Sequence, residues 1–240
     1  MVVEYQMMSD GLVLTSCVHG GPIPLAQVAK AAEEPSWLEQ ESGLPAGTIA
    51  AELNALCRRY GSCGVMALDG DAVIGKVRFS PAELGDNVAQ CVQQSPERHA
   101  AFDPELLPEK EDLEPRSLEL WCLQVVDAPQ YRGRGIASTM LQTMVSWGRE
   151  QGWEEVVTSA VRRIPPLLDW TGMLPVDTYL KLEFSVTGSE VNPDLLEGVA
   201  HMRAGGHGED IRRQWGLFAD LSDDEAATLY RVTLPLRGVR

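Results

Sequence analysis

The chain has 240 residues, with 35 Asp+Glu against 20 Lys+Arg, a formal net charge of −15 and a pI near 4.6. Hydrophobic residues make up 44% and charged residues 23%, which is a globular composition. The excess of acid argues against general nucleic-acid binding, which needs clustered Lys and Arg, and favours a partner of positive charge.

Five cysteines (Cys17, Cys57, Cys63, Cys91, Cys122) form no C-x-x-C pair, and four histidines (His19, His99, His201, His207) complete no metal-ligand spacing. Neither a disulfide framework nor a metal site is expected. No Lys or Arg precedes Lys30, so a basic signal-peptide n-region is absent. No apolar run approaches the ~18 residues of a membrane span. The expectation is a cytoplasmic protein that is a monomer or homodimer, with no nucleic-acid or membrane partner.

Residues 2–18 lean towards strand, with Asp10-Gly11 as a turn. Residues 23–60 read as largely helical: Ile49, Leu53 and Leu56 recur at helical spacing and Gly61 closes the helix. Residues 63–68 and 72–79 form a strand pair around Asp69-Gly70-Asp71. Residues 81–116 are rich in proline, and from Pro81 to Glu119 the chain carries ten acids and three bases. This segment reads as a surface insertion, either simply solvated or forming an acidic lip beside a substrate cleft.

Residues 118–126 form the strongest strand, ended by Asp127-Ala128-Pro129. Residues 136–151 read as a helix with Ile136, Met140 and Met144 on one stripe, and residues 155–161 as a nearly continuous apolar strand. Pro165-Pro166 reads as opening a loop before a short helix that ends near Leu182. Residues 184–187 then read as a strand, 193–215 as helices and 226–236 as a closing strand. This order predicts a mixed central sheet with helices on both faces, of α/β or α+β class, in a single domain. Within it, 1–62 form an N-terminal strand and helical part, 81–116 the insertion, and 185–240 a C-terminal strand-helix-strand part.

Between the strongest strand and the following helix stands Gln130-Tyr131-Arg132-Gly133-Arg134-Gly135-Ile136-Ala137-Ser138. Two glycines one residue apart admit a ligand close to the backbone. Successive N–H groups form an anion nest there, and the helix start adds free N–H groups and the positive end of its dipole. No acid occurs from residue 128 to 149, where the chain average would place about three. A polyphosphate or pyrophosphate is the natural ligand. The G-x-x-x-x-G-K-[ST] pattern of a P-loop is absent. The dinucleotide fingerprint G-x-G-x-x-G/A fails at Ser138, and no acidic residue follows a second strand ~20 residues on. Gln-x-x-Gly-x-Gly between strand and helix resembles the coenzyme-A pyrophosphate motif of the GNAT acyltransferases. The segment Tyr179-Leu180-Lys181-Leu182-Glu183-Phe184 is similar to that family's Tyr-Glu-Lys-Leu-Gly-Phe, with Glu183 in place of Gly. The match spans about 63–184, and the sequence around Cys63 and Pro165 looks like an uncharacterised prokaryotic subgroup.

The resemblance implies an acetyl-CoA-dependent N-acetyltransferase that moves acetyl directly from the thioester to an amine of a small molecule or peptide. Backbone amides of Arg132, Gly133, Arg134, Gly135, Ile136 and Ala137 would hold the pyrophosphate, with Gln130, Tyr131 and Ser138 completing the motif. Leu123, Val125 and Val126 on the central strand would pair with the pantetheine arm and present amides to the acetyl carbonyl. Tyr179 takes the place of the general acid towards the departing thiolate, and Glu119 is the candidate general base. No metal takes part. Two other readings are a GNAT-fold module that binds acyl-CoA without catalysis, and a nucleotide-binding protein of another fold. Cys122 reads as a core thiol, Asp177 as an exposed loop acid within reach of an amine, and Arg162 and Arg163 either as contacts to the nucleotide's phosphates or as a surface pair.

Overall fold

The computed structural model describes residues 2–18, 20–30, 47–84, 104–205 and 209–237. His19, Cys91, His99, His207 and the middle of the proline-rich insertion lie outside the described residues. The chain forms two compact units, Met1–Val156 with Leu236–Arg240, and Val157–Pro235.

The first unit is built on antiparallel strands. β1 (Val3–Met7) pairs with β3 (Gly64–Asp69) from Val3↔Asp69 to Met7↔Val65, and β3 pairs with β4 (Ala72–Pro81) through the Asp-Gly-Asp hairpin. A two-residue strand β2 (Ile23–Pro24) adds to β4 and leads into helix α1 (Leu25–Lys30). β5 (Ser117–Val125) pairs antiparallel with β4, in register from Gly75↔Val125 to Pro81↔Leu118, with a bulge beside Arg78. Residues 9–18 do not extend β1: Ser9 and Leu12 close a single bridge around Asp10-Gly11, and the following residues run irregularly with Val13, Leu14 and Val18 buried.

Helix α2 (Thr48–Tyr60) buries Ile49, Leu53 and Leu56, the predicted face, and ends on Gly61. Its C-terminal residues hold the far end of the insertion. Arg59 donates to the Leu107 and Pro108 carbonyls and Tyr60 Oη to Pro108, while Leu107 and Leu113 are buried. Helix α3 (Ile136–Glu150) presents the predicted stripe of Ile136, Met140 and Met144, with Leu141 and Val145 beside it. A Cβ on Gly75 would meet Met140 Cε at 3.1 Å, and Trp147 packs on Phe79 with ring centroids 5.1 Å apart. Each such buried side chain stabilises the fold by roughly 1.5–3 kcal/mol.

β6 (Glu155–Ala160) runs across the boundary of the units. In the second unit the strand order is β6-β8-β7, where β7 (Ser185–Val191) and β8 (Thr228–Pro235) are antiparallel. Helices α4 (Pro165–Thr171), α5 (Val176–Leu180), α6 (Pro193–Arg203), α7 (Glu209–Trp215) and α8 (Asp223–Ala226) complete it around a core that includes Val161, Leu167, Val199, Met202 and Trp215. The strands belong to a mixed sheet with helices, the α/β class expected from the sequence.

Two local expectations are corrected. Pro165-Pro166 begins helix α4 rather than a loop, because proline lacks only an N–H that the first helical turn leaves unpaired and its φ already suits the helix. β7 runs to Val191, longer than the 184–187 expected, and almost all of it is exposed, so no apolar alternation marks it.

Candidate functional site

The loop after β5 turns sharply into α3. The Ala128 N–H bonds the Val126 carbonyl, the Tyr131 N–H bonds the Ala128 carbonyl, and Gly133 and Gly135 have φ of 67° and 70°. L-residues reach this left-handed region at a cost, so the two glycines are required by the path of the chain. Tyr131 is buried, and its hydroxyl donates to Asp69 Oδ2 at 3.2 Å, tying the loop to the β3–β4 hairpin. Ile136 is buried as the first residue of the α3 stripe. These two side chains anchor the loop, while Gln130, Arg132, Gly133, Arg134 and Gly135 face solvent.

A pocket of about 250 Å³ opens here, lined by residues 125–127 and 131–137. It includes Val125, Val126, Gly133, Gly135, Ile136 and Ala137; the lining does not reach Leu123, Gln130 or Ser138. No side chain caps the α3 N-terminus, and its first turn carries no acid. The helix dipole and the first amides therefore point their positive end at the pocket. A Cβ on Gly133 or Gly135 would meet nothing within 4 Å, which leaves room against the backbone for a bulky anion. Arg132 is exposed and ion-paired with Asp127 at 2.7 Å. This arrangement suits a pyrophosphate: backbone donors at the centre, exposed guanidinium groups at the rim.

On β5, Glu119 lies opposite Ser80 of β4 and is half-buried. The Val126 N–H is already donated to the Ile74 carbonyl at 2.8 Å. In the second unit, Tyr179 is 2% exposed. Burial pushes its phenol up to about 12, against a smaller opposing effect of a hydrogen bond with Thr158. The Tyr179 ring meets Phe184 edge-on at 5.2 Å. Glu183 follows in the left-handed region at φ 68°, the only such non-glycine residue among those described. The Phe184 N–H bonds the Tyr179 carbonyl and the Glu183 N–H bonds that of Leu180, the two bonds of a Schellman helix end. Asp177 and Arg163 pair with each other at 2.9 Å.

Sequence reading missed a buried polar stripe on β4. Lys76, Arg78 and Ser80 are 0%, 2% and 2% exposed and line one face of the strand. Lys76 Nζ donates to the Ser16 carbonyl at 2.7 Å, Arg78 Nη2 donates to the Leu14 carbonyl, and the Arg78 guanidinium lies over the Trp121 ring, 5.4 Å from its centroid. Burial, reinforced by Arg78, lowers Lys76 to about 8. Cys17, Cys57, Cys63 and Cys122 are free thiols, and the Cys57 and Cys63 Sγ atoms are 3.4 Å apart. Among the described residues, no group of three or more His, Cys, Asp or Glu is placed to hold a metal ion, and no helix is long and apolar enough to cross a membrane.

No curated protein matches the chain. Solved structures that resemble it include Ard1 from Thermoplasma volcanium, with 13% identity over 99% of this chain and 100% of that one and a TM-score of 0.45. An agmatine N-acetyltransferase mutant gives 13% identity, coverage of 98% and 100%, and a TM-score of 0.47. The ribosomal-protein-S18-alanine N-acetyltransferase from Escherichia coli gives 9%, 100% and 97%, and 0.46. The family model described as Acetyltransferase (GNAT) family matches residues 28–163, which include the whole of β3 to β6 and the glycine loop. With more than half its length so matched, the chain belongs to the GNAT acetyltransferase family.

Proposed function

We propose that the protein is a cytoplasmic, acetyl-CoA-dependent N-acetyltransferase that passes acetyl directly to an amine of a small molecule or peptide. The observation that carries this reading is the uncapped α3 N-terminus opening onto the pocket lined by Gly133 and Gly135. Acetyl-CoA supplies an activated acyl carbon and a thiolate leaving group. Arg132 to Ala137 hold its pyrophosphate through backbone amides, and Arg132 and Arg134 add charge at the rim. Gln130 and Ser138 flank the loop as further polar contacts, and Tyr131 fixes its position through Asp69. The Leu123 to Val125 stretch of β5 directs the thioester, and amides of this stretch stabilise negative charge on the acyl oxygen. The Val126 amide is excluded from that role by its bond to Ile74.

Glu119 takes the proton from the attacking ammonium or amine, and Tyr179 gives one to the departing sulfur. A phenol held near 12 keeps its proton at neutral pH, the state an acid needs before the reaction.

The test is Gly135→Glu. Its carboxylate enters the place proposed for phosphate, and its Cβ is forced into a left-handed conformation. Calorimetry should show coenzyme-A affinity falling more than tenfold, about 1.4 kcal/mol or more, in a protein whose circular dichroism is unchanged. Equal affinity overturns the assignment. Coenzyme-A binding by the wild type, with no thiol release across an amine panel, moves the reading to a non-catalytic acyl-CoA-binding module.

A further inference from the structure

The buried stripe on β4 is explained only in part by the bonds of Lys76 and Arg78 to the Ser16 and Leu14 carbonyls. Half of the eight buried side-chain polar atoms without a partner among the described residues belong to it or to its cover: Arg78 Nε, Ser80 Oγ, Trp121 Nε1 and Thr15 Oγ1. Thr15 sits between Leu14 and Ser16, whose carbonyls receive the Arg78 and Lys76 donors. Every one of the four atoms carries a hydrogen to donate. Beside them stand two positive charges, and the hydrogen bonds found for Lys76 and Arg78 go to backbone carbonyls and the Cys17 sulfur, with no carboxylate among them.

A buried cation is costly unless an anion faces it, and an orphaned buried donor costs about 1–3 kcal/mol. Concentrating both on one strand face is wasteful for stability alone and apt for a bound anion. The stripe is also well placed. Lys76 pairs with Gln124, next along β5 to Val125 of the pocket lining but with its side chain on the opposite face from α3, and Ser80 pairs with Glu119. The cover is thinnest over Lys76, where Ser16 and Cys17 are only half-buried, while Leu14 and Thr15 beside Arg78 are buried.

We propose that Arg78, Trp121 and Ser80, backed by Lys76, seat a carboxylate of the acyl acceptor, so that the acceptor is an amino acid or another amine bearing a carboxylate. Arg78 Nε and Trp121 Nε1 supply two N–H donors to the two carboxylate oxygens. Ser80 and Thr15 add hydroxyl donors, and the amine end lies towards Glu119. The proposal rests on the amine-acetylating reading above and deepens it.

The experiment separates the two by binding product-like probes without turnover. N-acetylglycine, N-acetyl-β-alanine and 4-acetamidobutyrate are each compared with the corresponding primary amide, by calorimetry and thermal shift, with coenzyme A present. At least one acid is expected to bind tenfold or more tightly than its amide. Trp121→Phe keeps the ring under Arg78 and removes only the N–H, and Ser80→Ala removes only the hydroxyl. Each should weaken the acid at least threefold, leave its amide unchanged and leave coenzyme-A affinity intact. Arg78→Met should abolish the preference for acid over amide. Equal binding of acids and amides, no binding of either, or acid affinity unchanged in Trp121→Phe and Ser80→Ala overturns the proposal. Acid binding without acetyl transfer to the parent amines counts against the transfer reading and supports the carboxylate seat. Transfer to amines with or without a carboxylate at equal kcat/KM supports the transfer reading and overturns the seat.

Discussion

Glu183 offers a prediction with a sign opposite to that of most substitutions. It is exposed, at φ 68°, and occupies the C′ position of the Schellman end of α5. An L-residue there costs about 1–2 kcal/mol relative to a right-handed conformation, and a carboxylate at a helix C-terminus gains nothing from the dipole. Glu183→Gly removes the conformational cost but loosens the unfolded chain, which returns about 0.4–1 kcal/mol. The net expectation is a gain of about 0.5–1 kcal/mol, or about 1–4 °C in Tm for a chain of this size. Urea denaturation should show a higher midpoint with an unchanged slope. Glu183→Asn should fall between the two, because asparagine tolerates the left-handed region, and Glu183→Ala, which keeps the Cβ, should gain little. A glycine variant no more stable than the wild type, or an alanine variant as stable as the glycine variant, would refute the argument from backbone strain.

Met140→Ala should cost about 2–5 kcal/mol, read by the same denaturation, because Met140 is wholly buried against Gly75. Lys76 is held near 8 in the folded state and returns to its ordinary 10.5 on unfolding. Between those values the unfolded chain binds the extra proton, so stability should rise with pH across that window, by up to about 1.4 kcal/mol per unit. Lys76→Met should flatten that rise, and identical pH profiles would refute it; above pH 10 the raised Tyr60 and Tyr179 phenols act in the opposite sense. Tyr179→Phe should lower kcat by roughly 10²–10⁴-fold with coenzyme-A affinity intact, and near-normal turnover would make Tyr179 a packing residue.

The glycine loop was legible because its conformation is written locally. Two left-handed glycines and a helix start require no distant partner, and the α3 stripe repeats at helical spacing within a single segment. The β3–β4 hairpin was legible for the same reason, through Asp69-Gly70-Asp71. The second half of β7 was not, because Gly188 to Val191 is exposed without apolar alternation and becomes a strand only by pairing with β8. The Lys76–Arg78–Ser80 stripe was hidden for a related reason. Polar residues on alternate positions of a strand ordinarily mark a solvated face, and nothing local to β4 announces that residues 13–18, some sixty positions earlier, lie over it.

The burial of Lys76 gives the protein a built-in clock for local opening. The chain has four lysines, Lys30, Lys76, Lys110 and Lys181, and the Lys181 side chain is 77% exposed. Lys76 has no exposed surface through which a reagent reaches it while residues 13–18 lie in place. Its acylation by an amine-reactive ester must wait for residues 13–18 to lift. Peptide-resolved labelling of Lys76 against Lys181 therefore measures how often that cover opens, in the way hydrogen exchange measures the opening of a helix.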